Sequence, residues 1–243
     1  MQAKTQPEVK SSQEESSQRA FIRFATYKVD PGFRKLDSNL RLAAKEEVFS
    51  ALDFFKDRMA IHAYSLLATR AEADFLFWQA ANDLEIFEEF ASKLARSAMG
   101  PYLRGVHSFL STARQSVPAG VAKTQPDRGQ GRGLTGEGRF LFVMPLVKTK
   151  AWHQLSTAER QKMTEEHAGI VGRHPSVRLE ITSAFGLDDQ EFVAAFETDS
   201  PQDFLNLIEE LRESKAALYT NVRDTPTITA VARDPKWILD ALG

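Results

Sequence analysis

The sequence predicts an α+β protein made of two tandem ferredoxin-like units, with antiparallel sheets and helices packed outside them, the dimeric α+β barrel arrangement. Two observations predict this fold. Residues 74–97 align without a gap on residues 191–214, at an offset of about 117 positions, and each copy combines an apolar strand, a capped turn and an amphipathic helix. The first half also has the element order βαββαβ, which is the ferredoxin-like order. A repeat of this length indicates two copies of one unit.

The composition is that of an ordinary globular protein. Apolar residues make up 42% and charged residues 26% of the 243 residues, and the formal net charge is -2. This charge gives no reason to expect nucleic acid as a partner, because nucleic-acid binding favours a basic face. The chain has no cysteine, which excludes disulfides, thiolate catalysis, iron–sulfur clusters and Cys-type zinc sites.

The hydropathy pattern shows no targeting or membrane segment, so a cytoplasmic location is the default expectation. No run approaches 18 apolar residues, so no transmembrane span is expected. The N-terminus also lacks the apolar core of a signal peptide. Residues 1–19 are almost devoid of apolar side chains and predict a disordered tail, since they cannot offset the entropy of ordering.

Apolar spacing and breakers define the elements of the first unit, residues 20–114. Period-two and period-3.6 patterns predict, in order, a strand over 21–29, a helix over 40–55, hairpin strands over 59–67 and 73–80, a helix over 84–99 and a strand over 106–112. Residues 115–138 are rich in glycine and poor in apolar side chains, which predicts a flexible linker or lid.

The second unit, residues 139–243, repeats this plan. Ser156 and Glu159 form a capping-box pattern at the start of a helix that ends near Gly172. The remaining elements are predicted as a strand over 139–148, hairpin strands over 177–185 and 191–197, a long helix from 200–201 and a closing strand over 226–232. Phe140, Phe142 and Met144 share one face of the first of these strands.

His167 is the first candidate functional residue. It shares a helical face with Met163, Ile170 and Val171 at spacings of four, seven and eight residues, which places an imidazole on the buried side. Such a histidine is either a core residue bonded to a backbone carbonyl or a ligand of a metal or haem iron. The spacing alone leaves both interpretations open.

Two lysines are also unusual. Lys215 follows Phe204, Ile208 and Leu211 on one stripe of the last long helix, where it is either a snorkelling helix-end cation or a functional group. Lys148, four residues before Trp152, follows the inward face of its strand. This pair either meets an anionic ligand or is a solvated charge beside a packed indole.

The chain resembles the chlorite dismutase and coproheme decarboxylase family over about residues 20 to 235. The second unit carries the resemblance through MPLVKTKAWHQLSTAER, MTEEHAGIVGRHPSV, FGLDDQEFVAAFETDSPQDFLNLIEELRES and YTNVRDTPTITAV, and the first more loosely through FIRFATYKVD and VHSFLSTARQS. The resemblance implies tandem ferredoxin-like units, a homopentamer, and haem b or coproheme, with its iron, bound in the second unit.

The resemblance also implies roles for single positions. The proximal iron-ligating histidine of the family matches His167, the lysine near the haem propionates matches Lys148, and the tryptophan after it matches Trp152. Three positions depart from the family pattern. The radical-forming tyrosine of coproheme decarboxylases falls on Met144, the distal arginine or glutamine falls on Leu179 (Glu180 with a shift of one), and the glutamate that bonds the proximal histidine falls on Lys215.

Each departure removes a chemical capability. A methionine cannot form a tyrosyl radical, a leucine cannot polarise an O–O or Cl–O bond, and a lysine cannot accept the second imidazole proton. The resemblance, together with these departures, therefore implies a haem-binding oxidoreductase most like a peroxide-dependent coproheme decarboxylase of haem biosynthesis, with impaired activity. Its substrate would be peroxide, coproheme or an oxyanion. The alternative is a non-enzymatic haem carrier or sensor, or a degenerate structural homologue. A true chlorite dismutase is the least favoured.

Overall fold

The computed structural model describes residues 20–113, 133–221 and 226–243. The first half contains strands β1 (Ala20–Val29), β2 (Ala60–Ser65), β3 (Phe75–Ala81) and β4 (Leu103–Ala113), with helices α1 (Ser38–Phe55) and α2 (Leu84–Arg96). The second half contains β5 (Phe140–Lys148), α3 (Lys150–Gln154), α4 (Thr157–Gly172), β6 (Arg178–Ser183), β7 (Phe192–Thr198), α5 (Pro201–Glu213), β8 (Thr220–Asn221), β9 (Ile228–Ala232) and α6 (Pro235–Leu242). The predicted α+β fold is confirmed.

The two halves share one antiparallel barrel. The strand order is β7-β6-β4-β1-β3-β2-β9-β5, and β5 pairs again with β7, which closes the ring. Two seams join the halves: β2 pairs with β9 through Tyr64 and Ala232, and β4 pairs with β6 through Thr112 and Ser183. The short strand β8 pairs with the carboxyl end of β5.

Alternation along the strands separates three apolar cores. Side chains such as Phe24, Trp78, Leu141 and Ile228 fill the interior of the barrel. A second core lies between the outer face of the first unit and helices α1, α2 and α6. A third, smaller core lies between the outer face of β5–β7 and helices α4 and α5. Helices therefore cover both outer faces of the barrel, as predicted.

Local sequence signals set the helix ends. The predicted capping box at the start of α4 is present, because the Glu159 backbone N–H donates to Ser156 Oγ while the Ser156 N–H donates to the Glu159 carboxylate at 2.8 Å. Helix α5 begins at Pro201 after the N-cap Ser200. It ends at Glu213, where the Ser214 hydroxyl donates to the Leu211 carbonyl oxygen at 2.7 Å. The prediction that Lys215 lies on this helix is wrong, because Ser214 ends the helix first.

Three elements and one loop differ from expectation. The short α3 and β8 and the final helix α6 were not predicted, and α6 packs through Ile238, Leu239 and Leu242 on the first unit rather than on the second. The predicted tail 1–19 and most of the predicted linker 115–138 lie outside the described residues. The last six residues of this predicted linker, 133–138, are folded against the barrel, and Leu134 is buried in the barrel interior.

Candidate functional site

A cavity of about 480 Å³ opens between the outer face of β5–β7 and the helices α4 and α5. Because side chains alternate along a strand, the residues of β5 and β7 that line the cavity are two positions apart. The sheet side contributes Met144, Leu146, Ile181, Phe192, Ala194 and Phe196. The helical side contributes apolar groups from Ile208, Leu211 and Ala216. The walls are therefore mainly apolar, and the volume is in the range typical of small-molecule and cofactor sites.

His167 lies on the cavity-facing side of α4, one helical turn after Met163, and both side chains line the cavity. Burial, followed by the nearby Lys148 cation, lowers the pKa of the His167 imidazole below its ordinary value. Within the described part of the chain, the ring has no hydrogen-bond partner, so it is not bonded to a backbone carbonyl there. A neutral imidazole with a free ring nitrogen is the form in which histidine binds a metal.

Lys148 and Trp152 form one end of the cavity. The Lys148 ammonium donates to Thr220 Oγ1 at 2.7 Å and lies 4.5 Å from the centre of the Trp152 ring. Its backbone N–H donates to the Glu191 carboxylate at 2.8 Å, which fixes the end of the strand. Burial lowers the pKa of Lys148 to about 8, although the Glu191 carboxylate opposes this shift.

Arg212 is a second cation on the cavity wall, contributed by α5. No carboxylate side chain is among the described residues that line the cavity. The polar part of the site therefore suits an anionic group, and charge-assisted hydrogen bonds to carboxylates are among the strongest that proteins make. Arg212 was not among the residues predicted from the sequence. It lies four residues after Ile208, beside the apolar stripe of the helix, and this spacing could have indicated that it borders the same site.

The three positions that depart from the family pattern are not all in the cavity. Met144 lines it, on the strand face shared with Lys148. Leu179 is fully buried in the core beneath the helices and does not line the cavity, whereas Ile181, two residues further along the same face of β6, does. Glu180 is also buried, on the opposite, barrel-facing side. The β6 side chain that lines the cavity is therefore Ile181.

Lys215 is exposed and lies outside the cavity. It begins a short 3₁₀ turn, and the neighbouring Ala216 and Ala217 line the cavity in its place. Neither alanine can accept a proton from the His167 ring. The sequence predicted that His167 has no carboxylate partner because a lysine occupies the partner position. In the structure, alanines occupy that position, and His167 again has no carboxylate partner among the described residues.

The residues present fit an iron porphyrin. Its flat apolar macrocycle matches walls of methionine, leucine, isoleucine, alanine and phenylalanine, and its carboxylate substituents match Lys148 and Arg212. The unpartnered nitrogen of His167 is the group suited to the iron. The described residues hold no cluster of three or more His, Cys, Asp or Glu side chains that could bind a bare metal ion.

Comparison with known proteins gives a consistent result. The chlorite dismutase family model matches residues 41–233. The coproheme decarboxylase of Mycolicibacterium smegmatis is 27% identical over 218 residues, which covers 86% of this chain and 88% of the relative. The chlorite dismutase of Ideonella dechloratans is 27% identical over 213 residues, covering 86% and 74%.

Solved structures show the same fold. A mutant chlorite dismutase from Candidatus Nitrospira defluvii superposes with a TM-score of 0.80 at 21% identity, covering 92% of this chain and 95% of the other. Among the helices that the structure describes, none is both long and apolar enough to cross a membrane.

Proposed function

Because the chain belongs to the chlorite dismutase family, we propose that it binds haem or coproheme in the cavity of the second unit, with His167 as the axial iron ligand. Chlorite dismutases and coproheme decarboxylases are haem-dependent proteins. The observation that carries the proposal is the His167 ring, which faces an apolar cavity without a partner and with a lowered pKa.

The other residues of the cavity have separate roles. Lys148 and Arg212 bind the carboxylates of the ligand and so orient the macrocycle. The Thr220 hydroxyl and the Trp152 ring hold the Lys148 ammonium in place. The apolar side chains of β5–β7 exclude water from the face of the ring that they cover, and this strengthens the electrostatic contacts at its edge.

The reaction class that we propose is peroxide-dependent decarboxylation of coproheme, at a low rate. When bound, the iron porphyrin supplies the redox chemistry with peroxide. The chain supplies Lys148 and Arg212 to fix a propionate near the strand face that carries Met144. A thioether at this position has no phenol to oxidise, and Ile181 cannot donate a hydrogen bond to a bound oxidant, which is why we expect slow turnover.

A non-enzymatic haem carrier is the second candidate function. The observation that favours it is the wall formed by Met144, Ile181 and Ala194, none of which can donate or accept a proton. The two functions differ in one measurable property, because a carrier releases its ligand unchanged after exposure to peroxide.

By resemblance we also propose a homopentamer, which light scattering of the purified protein tests directly.

Titration of the purified protein with haem and with coproheme tests the proposal. We expect a Soret band that saturates at one equivalent per chain and is lost or strongly weakened in His167→Ala. The control is His174→Ala, because His174 follows the same helix but bonds to Glu210 at 2.7 Å outside the cavity. Equal haem spectra for wild type and His167→Ala would contradict the ligand assignment. Mass spectrometry of the bound porphyrin after peroxide addition then separates the decarboxylase from the carrier.

A further inference from the structure

The barrel interior contains a second polar site, separate from the cavity of the second unit. It lies beneath residues 133–138, which close the end of the barrel where β5 begins. Leu134 enters the interior core, and the Glu197 carboxylate accepts the backbone N–H groups of Thr135 and Gly138, each at 2.6 Å. Glu197 is itself 1% exposed. The segment is therefore fixed by a buried carboxylate and not only by apolar contact.

Three polar side chains of the first unit meet beneath this segment. His62 and Tyr64 lie on β2, and Trp78 lies on β3 opposite His62. The His62 and Trp78 rings are stacked at 4.7 Å between centroids. Tyr64 and Trp78 are each 1% exposed. Burial raises the pKa of the Tyr64 hydroxyl and lowers the pKa of the His62 imidazole, and the Glu197 carboxylate is close enough to add to the first shift and to oppose the second.

Each of these side chains has a buried atom without a hydrogen bond. Tyr64 Oη, Trp78 Nε1 and His62 Nε2 are inaccessible to solvent and have no partner among the described residues. An unpaired buried donor or acceptor costs roughly 1–3 kcal/mol, and native proteins pair nearly all such groups. Three such atoms on neighbouring residues of β2 and β3, two of them on stacked rings, point to a common partner rather than to three independent losses.

We propose that the barrel encloses an ordered water site, in which water bridges Tyr64 Oη, Trp78 Nε1 and His62 Nε2 beneath residues 133–138. Water fits the donor set because the Trp78 indole can only donate, so its partner must accept. The same partner must also be able to donate to His62 Nε2 in its acceptor tautomer. An anion is disfavoured by the neighbouring Glu197 carboxylate, and buried waters typically make about three hydrogen bonds.

The segment 133–138 seals this site, and Gly136 shows how closely. Gly136 has a φ of +73°, and a Cβ there would lie 2.1 Å from the His62 ring. Only glycine permits this approach, because the left-handed conformation and the contact both exclude a side chain. The water site therefore lies between side chains of the first unit and the backbone of residues 133–138, which lead into the second unit.

Nuclear magnetic resonance of the intact protein tests the site. The sequence has three tryptophans, so the Trp78 indole N–H can be assigned by substitution of Trp152 and Trp237 with Phe. We expect a long-lived cross-peak between this N–H and water, together with slow exchange with bulk solvent. The Tyr64→Phe variant should shift or weaken the cross-peak. Tyr27→Phe, on the outer face of the barrel, should leave it unchanged.

A crystal structure provides a test that does not depend on any variant. Density for a water within about 3.2 Å of both Tyr64 Oη and Trp78 Nε1 supports the proposal. A direct hydrogen bond from either group to Glu197 or to another protein atom, or an empty interior, overturns it. A Trp78 indole without a water cross-peak in the wild-type protein also overturns it. Binding of haem to the second unit is unaffected by either outcome, so the two proposals fail separately.

Discussion

The two units are built on the same repeat, but they differ between the sheet and the helices: the second unit has its apolar cavity there, whereas the described side chains of the first unit form a packed core. Strand β3 and helix α2 of the first unit correspond to β7 and α5 of the second at a constant offset of 117 residues, since Phe75–Ala81 matches Phe192–Thr198 and Leu84–Arg96 matches Pro201–Glu213. Both helices end in the same way, with a serine hydroxyl donating at 2.7 Å to a leucine carbonyl three residues earlier. The backbone plan is therefore conserved between the copies.

Side-chain size at matching positions explains the difference. Phe77 of the first unit, 3% exposed, corresponds to Ala194, and the fully buried Met99 corresponds to Ala216. Both alanines line the cavity. In the first unit, α1 also buries Ala44, Val48, Ala51 and Phe55 against the sheet, whereas α4 buries only Ile170 and Val171. The cavity therefore lies where the second unit has two small side chains at the positions of two large ones, beneath a helix that makes fewer core contacts.

Transplanting the missing side chain should remove the site. Ala194→Phe places the first unit's Phe77 on the cavity wall, where it would fill space that the porphyrin needs. We expect complete loss of haem and coproheme binding, with the fold retained. Absorbance titration measures the first result and circular dichroism the second. The control is Ala195→Ser, on the barrel side of the same strand. Saturable haem binding by Ala194→Phe would show that the ligand lies elsewhere.

The reciprocal substitution should damage the first unit without creating a site. Phe77→Ala removes a core ring that packs against Tyr27, Phe75 and Phe90. Substitutions of this kind cost about 3–5 kcal/mol of unfolding free energy. Chemical denaturation measures this loss. If the variant instead bound haem in the first unit, the contrast between the units would depend on side-chain volume alone rather than on His167 as well.

Lys148→Met tests the electrostatic part of the second unit. Removing one charge-assisted hydrogen bond of roughly 1.5–3 kcal/mol should weaken coproheme binding about 10- to 100-fold at pH 7. Because the pKa of Lys148 is lowered to about 8, the amine is charged below this pH and loses its proton above it. Wild-type affinity should therefore fall as the pH rises from 7 to 9. The bound carboxylate stabilises the charged form, which moves the midpoint upward.

The matched control for that experiment is Lys150→Met, because Lys150 is exposed on the adjacent α3. Its affinity and pH profile should follow those of the wild type. The Lys148→Met profile should be flat over the same range. A wild-type profile that is itself flat, or a Lys148→Met profile that keeps the decline, would assign the pH dependence to another group.

Met144→Tyr addresses the smallest expected effect, a gain in rate. Tyrosine at this position would put a phenol on the strand face that Lys148 shares. We expect peroxide-driven conversion of coproheme to rise by at least tenfold, a modest part of the ~10²–10³ that one positioned polar group contributes. Mass spectrometry of the porphyrin measures it. Fast conversion by the native chain would refute the role given to Met144, and no gain would favour the carrier.

Periodicity predicted a large part of this molecule. Two-residue alternation placed Met144 and Lys148 on one strand face, and four-residue spacing placed Met163 and His167 on one helical face; all four line the cavity. Ser214 shows the limit of the method. The apolar stripe continues in register to Lys215, but a single serine hydroxyl that bonds to Leu211 ends the helix first.

Position along β6 was equally hard to predict. Leu179 and Ile181 share one strand face, and only the placement of α4 and α5 decides which of them meets the cavity. The same is true of α6. Its apolar residues Ile238, Leu239 and Leu242 are visible in the sequence, but the unit that they cover depends on how the barrel closes.

The closure of the barrel through its last strand has a consequence for synthesis on the ribosome. Tyr64 on β2 pairs with Ala232 on β9, a partner about 170 residues later. At roughly 5–20 residues per second, the edge of β2 waits on the order of ten seconds for its neighbour. An open strand edge is a template for pairing with other chains. The nascent first half therefore exposes an unpaired strand edge during this time, and a truncated product that lacks residues 228–232 keeps that edge exposed.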